Sequence, residues 1–311
     1  MAISTGRITP FLTRDLNEVH VASLKRRLLY WPLVMRRENM QTNPVKARLA
    51  GQLEPVGRKY ELEPFDVLDP EIGAEIERFA RGYGGAIVLS FEARRDDQYD
   101  YAVQLKEALM EAILDRMEIE AHALLINGGS AAFMAGYNGL PLFSNAHTTL
   151  TAGVTWANVP IDAGGNQILT DLSMDGLNAM LLSFMSTISE EGQPRVRMPQ
   201  RVLLSPADAT VWQELGGSVL NPENASNAIN PHLAFNYMKN GVVDPYITAG
   251  SWFGFGGFGA TETDIRMGIR TDIRARTWED ENIDAIKHAT SVHILPYWND
   301  QRGAFRGDDG S

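Results

Sequence analysis

The sequence predicts an α+β fold, and two segments carry that reading. Across residues 97–127, Leu105, Leu109, Ile113, Met117, Ala121 and Leu124 recur at spacings of four or three, the mark of one buried helical face. Across residues 265–277, Ile265, Met267, Ile269, Thr271, Ile273, Ala275 and Thr277 alternate with Arg266, Gly268, Arg270, Asp272, Arg274 and Arg276, the period of a half-buried strand. At about 1.5 Å per residue the helix spans ~45 Å. At about 3.3 Å per residue the strand spans ~43 Å. If these two rods pack side by side they make an elongated slab rather than a sphere, with a row of arginines on the strand's open face.

The remaining elements follow in order. Residues 1–45 read as an extended arm with a short amphipathic helix near 21–30, ended by Pro32. Residues 46–90 mix β-like runs with turn signals. Arg58, Tyr60 and Leu62 alternate, an acidic stretch covers 61–77, and Ala86 to Leu89 forms an apolar run. This is expected to be a long two-stranded excursion. Asp96, Asp97 and Asp100 suit the positive end of the long helix, and Gly128-Gly129 stops it. Residues 130–165 read as loop. A helix is expected over 174–188, capped by Ser173, with Leu177, Met180, Leu181, Phe184 and Ile188 as its stripe. A strand over 201–204 leads to a helix capped by Ser205, with Pro206 in its first position, ending at Gly216-Gly217.

Composition bounds the function. With 311 residues the expectation is about two domains, and 44% hydrophobic and 22% charged residues are ordinary for a globular chain. The absence of cysteine excludes disulfides, thiolate metal sites and a cysteine nucleophile. No run of about 20 apolar residues predicts a membrane span. The first 20 residues lack the apolar core of a secretory signal. The net charge of −11 is uneven. Residues 1–60 carry eleven basic and four acidic side chains, a net +7, which leaves −18 for the rest. A basic arm on an acidic body meets either an anionic polymer or the acidic body of another copy. A nucleic-acid reader is usually basic as a domain, so contact between copies is the favoured reading.

Catalytic patterns are missing. Gly254 to Gly259 matches GxGxxG, but it runs into the long strand instead of opening a helix, so a packed or flexible Gly/Phe loop is expected. There is no phosphate-binding P-loop, no G-x-S-x-G elbow and no H-E-x-x-H. The six histidines (20, 122, 147, 232, 288 and 293) offer no metal-ligand spacing, and His122 reads as packed or solvated. Glu61, Glu63, Glu118 and Glu120 make pairs by chance, and Lys106 and Glu107 read as solvated helix residues. The six tryptophans are scattered, which suits core or interface anchors rather than a base-stacking platform. No catalytic residue, cofactor or metal is expected.

One stretch is more specific: Asn138-Gly139-Leu140-Pro141-Leu142-Phe143-Ser144, followed by Asn145-Ala146-His147. Before it come the basic arm, the β excursion, Gly84 to Glu92 and the long helix. After it come the strand with Ser205-Pro206 and the long alternating strand. From about residue 15 to 306 this order resembles the major capsid protein of tailed bacteriophages, in the branch similar to the head subunit of Mu-like phages.

The resemblance implies a Hong Kong 97-like capsid fold. It implies an N-terminal arm at 1–41 and an E-loop region at 42–92, the loop itself within about 42–86. It implies a peripheral domain at 93–159 and 263–290 with the spine helix at 97–127. An axial domain follows at 160–262 and 291–311, with a final strand near 291–298. It further implies self-assembly into pentamers and hexamers of an icosahedral shell around double-stranded DNA, without sequence-specific binding. No long extension precedes the arm, so a separate scaffolding protein is expected, with a portal. Leu142, Phe143, Ser144 and His147 are expected to be structural. The intersubunit contacts are expected at Arg26, Arg27, Arg36, Arg37, Lys46, Arg48, Arg58 and Lys59. The competing readings are an encapsulin-type nanocompartment, a soluble nucleotide-binding enzyme and a nucleic-acid-binding protein using residues 1–60.

Overall fold

The computed structural model describes residues 29–47, 58–59, 75–90, 92–93, 101–149, 153–220, 229–257, 264–280 and 283–308. In chain order, a short helix α1 (Trp31–Val34) leads to β1 (Arg36–Asn39), β2 (Val45–Ala47), β3 (Ile76–Arg78) and β4 (Arg81–Ser90). The long helix α2 (Tyr101–Ile126) is followed by a small hairpin, β5 (His147–Thr148) and β6 (Thr155–Trp156). Then come α3 (Met174–Met185), β7 (Met198–Leu204), a 3-10 turn (Pro206–Asp208) and α4 (Ala209–Gly217). The chain ends with β8 (Gly241–Val243), β9 (Ser251–Gly257), β10 (Ile265–Asp280), β11 (Ala285–Trp298) and β12 (Ala304–Asp308).

Two four-stranded sheets organise these elements. The first has the order β1-β10-β11-β4, and the second β12-β9-β7-β8. The two long elements expected from sequence are present: α2 has 26 residues and β10 has 16. Their relationship differs from the expected side-by-side packing. Helix α2 lies over β4 and β11, and β10 sits one strand further out in the same sheet. Both nevertheless feed one core, in which Ile113, Leu114, Met117 and Leu124 of α2 meet Ile265, Met267 and Ile269 of β10 and Val292 and Ile294 of β11.

The second sheet is a shared wall, because alternate side chains of its strands enter different cores. Leu203, Phe253, Phe255 and Ala304 face the core beneath α2, whereas Val202, Leu204, Trp252 and Phe305 face a second core built with α3 and α4. The Gly254 to Gly257 segment is therefore not a loop but part of β9. Gly254 and Gly256 fall on the face that α3 covers, and Phe253 and Phe255, which alternate with them, fill the opposite core.

Several local expectations are corrected. Pro32 sits in the first turn of α1, where its missing N–H is not needed; the helix expected near 21–30 lies, but for residues 29 and 30, outside the described residues. Ser173 does cap α3, accepting from the Gly176 amide. Ser205 caps no amide, since its hydroxyl donates to the Asp208 carboxylate at 2.8 Å. Pro206 opens a 3-10 turn, and α4 runs through Gly217. The strand expected near 291–298 is the second half of β11, paired to β10 and β4 in the first sheet. The expected excursion has a two-stranded base, where Val45 to Ala47 pair antiparallel with Ile76 to Arg78; most of its length, with Tyr60 and Leu62, lies outside the described residues. The acidic residues at 96, 97 and 100 do as well.

Candidate functional site

The long sheet has one covered and one open face. A β-carbon on Gly85 would stand 2.9 Å from Leu109, so the odd-numbered positions of β4 face α2. The cross-strand sets Arg274–Ser291–Gly84, Arg276–Ala289–Ala86 and Trp278–Lys287–Val88 therefore point away from the helix. Arg274 and Arg276 are exposed, as are Trp278 and Val88. Strand β1 pairs with β10 only from Arg266 to Ile269, so beyond Ile269 the outer edge of β10 has no strand beside it among the described residues. Charged side chains along an edge restrain indiscriminate strand pairing. Arg266 is only partly exposed: it pairs with Glu38 of β1 at 2.8 Å, and Glu38 also accepts from the Tyr297 hydroxyl.

Five of the eight expected contact residues are among the described residues. Arg26, Arg27 and Arg48 lie outside the described residues. Arg36 is exposed on β1. Arg37 pairs with Asp272 of β10 at 2.7 Å, both side chains being more than half exposed. Lys46 reaches Glu75 at 2.6 Å and Glu77 at 3.1 Å, and these carboxylates raise its pKa. Arg58 and Lys59 are exposed.

The segment 140–147 folds into a buried clasp around a residue that the sequence did not single out, Asn158. Its amide nitrogen donates to the Leu142 carbonyl at 2.7 Å and the Gln301 carbonyl at 3.3 Å, while its oxygen accepts from the Ser144 amide at 2.9 Å and contacts His147 Nε2 at 3.1 Å. Leu142 and Phe143 enter the main core, and the His147 ring stacks on Trp156 at 4.6 Å. Burial lowers the His147 pKa to about 4, so the ring is neutral at ordinary pH.

Beside the clasp, Arg302 pairs with Glu190 at 2.5 Å and donates to the Ile188 carbonyl at 2.6 Å. Tyr137 donates to Glu190, and Arg197 bridges Asp300 and the Arg302 carbonyl. These partners come from three distant stretches of chain, near residues 137, 188–197 and 300–302, so no sequence spacing announces them.

Glu118 and His122 also take on a role that the sequence did not assign. Both are buried in the face of α2, and they join Asp244 and the backbone of Tyr30 and Trp31. Their spacing of four residues on the buried stripe was the available signal. No cluster of three or more His, Asp or Glu suited to a metal ion occurs among the described residues.

A long helix on a long four-stranded sheet, joined to a second sheet through a shared core, is an architecture that known proteins share, and a family model described as phage capsid protein matches residues 77–306. The chain belongs to the phage capsid protein family. This capsid protein has the Hong Kong 97-like fold and is a structural major capsid protein. It is similar to the virus-like particle from Pyrococcus furiosus, at 10% identity and a TM-score of 0.54, covering 95% of this chain and 98% of that one. It is similar to a structure from Microbacterium phage Oxtober96, at 8% identity and a TM-score of 0.53, covering 90% of each chain. It is also similar to the capsid of a native GTA particle, at 10% identity and a TM-score of 0.55, covering 92% and 93%. At such identities the likeness lies in the fold. No curated protein sequence matches the capsid protein.

Proposed function

We propose that the capsid protein assembles with itself into pentamers and hexamers of an icosahedral shell that encloses double-stranded DNA, and that it carries no catalysis. The observation that carries this reading is the long sheet of β10, β11 and β4. One face is covered by α2, the other is open with Arg274, Arg276 and Trp278 exposed, and among the described residues the edge of β10 has no strand beside it beyond Ile269. Repeated in every subunit, such a surface makes head-to-tail contacts that close into rings when the rotation permits. A shell multiplies each modest contact many times.

In this reading residues 1–41 are the arm and 42–92 the E-loop region with β2 and β3 at its base. Residues 93–159 with 263–298 form the peripheral domain, and 160–262 with 299–311 form the axial domain. The continuity of β11 supports ending the peripheral domain at Trp298 rather than at 290. The basic residues Arg26, Arg27, Arg36, Arg37, Lys46, Arg48, Arg58 and Lys59 meet acidic surface on neighbouring copies. The shell encloses DNA without sequence-specific binding. A separate scaffolding protein, a portal and assembly in the host bacterial cytoplasm belong to the same reading through the family resemblance.

Negative-stain imaging of the purified full chain tests it. Rings, shells or tubes are expected, and a strictly monomeric particle at high concentration overturns the proposal. Extraction of nuclease-protected double-stranded DNA from particles is expected, whereas an enclosed enzyme cargo would favour a nanocompartment. Titration calorimetry with NAD or ATP is expected to give no heat.

A further inference from the structure

The imidazole of His122 lies between two oxygen acceptors. Nδ1 is 2.7 Å from the Glu118 carbonyl and 3.6 Å from the Glu118 carboxylate, and Nε2 is 2.7 Å from Asp244 Oδ2. A neutral ring has one N–H and one lone pair. It satisfies one side and sets a lone pair against an oxygen on the other. The doubly protonated ring satisfies both. All three residues are at most 2% exposed, so water does not substitute for a missing proton.

The same Glu118 carboxylate also anchors the backbone of the segment at the start of the described chain, whose Trp31, Val34 and Met35 side chains are buried in the main core. Its two oxygens accept from the Tyr30 amide at 2.8 Å and the Trp31 amide at 3.1 Å. We propose that Glu118, His122 and Asp244 form a proton-controlled latch, which ties the segment of residues 29–35 to α2 while the imidazole carries both protons and loosens it when the ring gives one up. In the closed state one cation lies between two carboxylates. Loss of the proton leaves Glu118 and Asp244 as two buried anions on either side of a neutral ring. Relief comes from admitting water to Glu118, whose oxygens are otherwise covered by the Tyr30 and Trp31 amides.

The groups around the ring set the direction. Glu118 comes from its own helix. Asp244 and Tyr246 come from the turn after β8; Tyr246 stacks on the imidazole at 5.1 Å and donates to Asp115 at 2.8 Å. Tyr30 packs edge-on against Tyr246. Burial alone lowers the pKa of His122, but the hydrogen bond and charge of Asp244, with the Glu118 oxygens, hold it above the ordinary 6.5. Burial raises the Glu118 carboxyl as well. Both groups bind protons more tightly in the closed state. Attachment is therefore complete below pH 6.5 and weakens as pH rises through the closed-state value of His122.

Hydrogen exchange read by mass spectrometry on the full chain, corrected for the intrinsic pH dependence, tests the latch. Protection of the peptide covering 29–35 is expected to fall by about tenfold per pH unit above the His122 value, the factor one proton confers. Peptides from β11 are expected to stay level. In His122→Gln the slope is expected to vanish. Corrected protection that does not change with pH in the unmodified protein overturns the proposal, even if the variant fails to fold. A wild-type slope retained in His122→Gln overturns it too. Either result leaves the shell-assembly reading untouched.

Discussion

Gly254 of β9 faces Met180 of α3 so closely that a β-carbon built there would collide with the sulfur and lie 3.0 Å from Cγ, so the buried Met180 side chain would have to shift. The glycine that made this segment look like a phosphate-binding turn is there so that a helix can seat on the sheet. Gly256 repeats the device against Phe184, at 2.8 Å. Gly254→Ala is expected to destabilise the protein by about 1–3 kcal/mol through overpacking. Urea denaturation that shows an unchanged midpoint would remove this account.

Asn158 joins the clasp to the end of the chain through four polar contacts. Asn158→Ala leaves the Leu142 carbonyl and the Ser144 amide without their side-chain partner. The expected loss is about 2–3 kcal/mol. A thermal melt within a degree of wild type would show that the contacts contribute nothing net.

Arg302 and Glu190 are both almost fully buried. Removing one member leaves the other as an uncompensated buried charge, so Arg302→Met is expected to cost about 3–5 kcal/mol. Replacing both, as Arg302→Met with Glu190→Leu, is expected to cost less than the single change. A double-mutant cycle by chemical denaturation measures the difference.

The His147 pKa, lowered to about 4 by burial, makes the clasp sensitive to acid. The unfolded chain binds a proton near pH 6.5 and the folded chain does not, so stability falls as pH drops from 6.5 toward 4. The contribution is up to about 3 kcal/mol. His147→Phe, which keeps the stack on Trp156, is expected to flatten this part of the stability profile. An unaltered acid slope would assign it to other groups.

Charge reversal at Arg26, Arg27, Arg36 and Arg37 is expected to impair assembly and to leave the fold intact. Arg37 forms an exposed pair with Asp272, and such a pair contributes about 0–1 kcal/mol, too little to unfold the subunit. Circular dichroism checks the fold and sedimentation checks the particle. Unchanged shell yield would refute the role of these arginines in contacts between copies.

What the sequence by itself determined were the elements whose periodicity is local and long. Helix α2 and strand β10 repeat one pattern over many residues, so burial of one face leaves a clear trace, and the Ser173 cap needs only neighbouring residues. The order of elements and the segment 140–147 also pointed to the capsid family. What only the tertiary structure decided were contacts that join distant residues. Which strands α2 covers depends on the pairing of β11 with β4, two strands almost 200 residues apart in the chain. Whether Gly254 sits in a loop or a strand depends on α3 needing room above it. Glu118, His122, Asn158 and Glu190 acquire their roles from partners brought in by folding, and a buried polar residue carries no mark of its future partner. Periodicity records which face is hidden; it does not record what hides it.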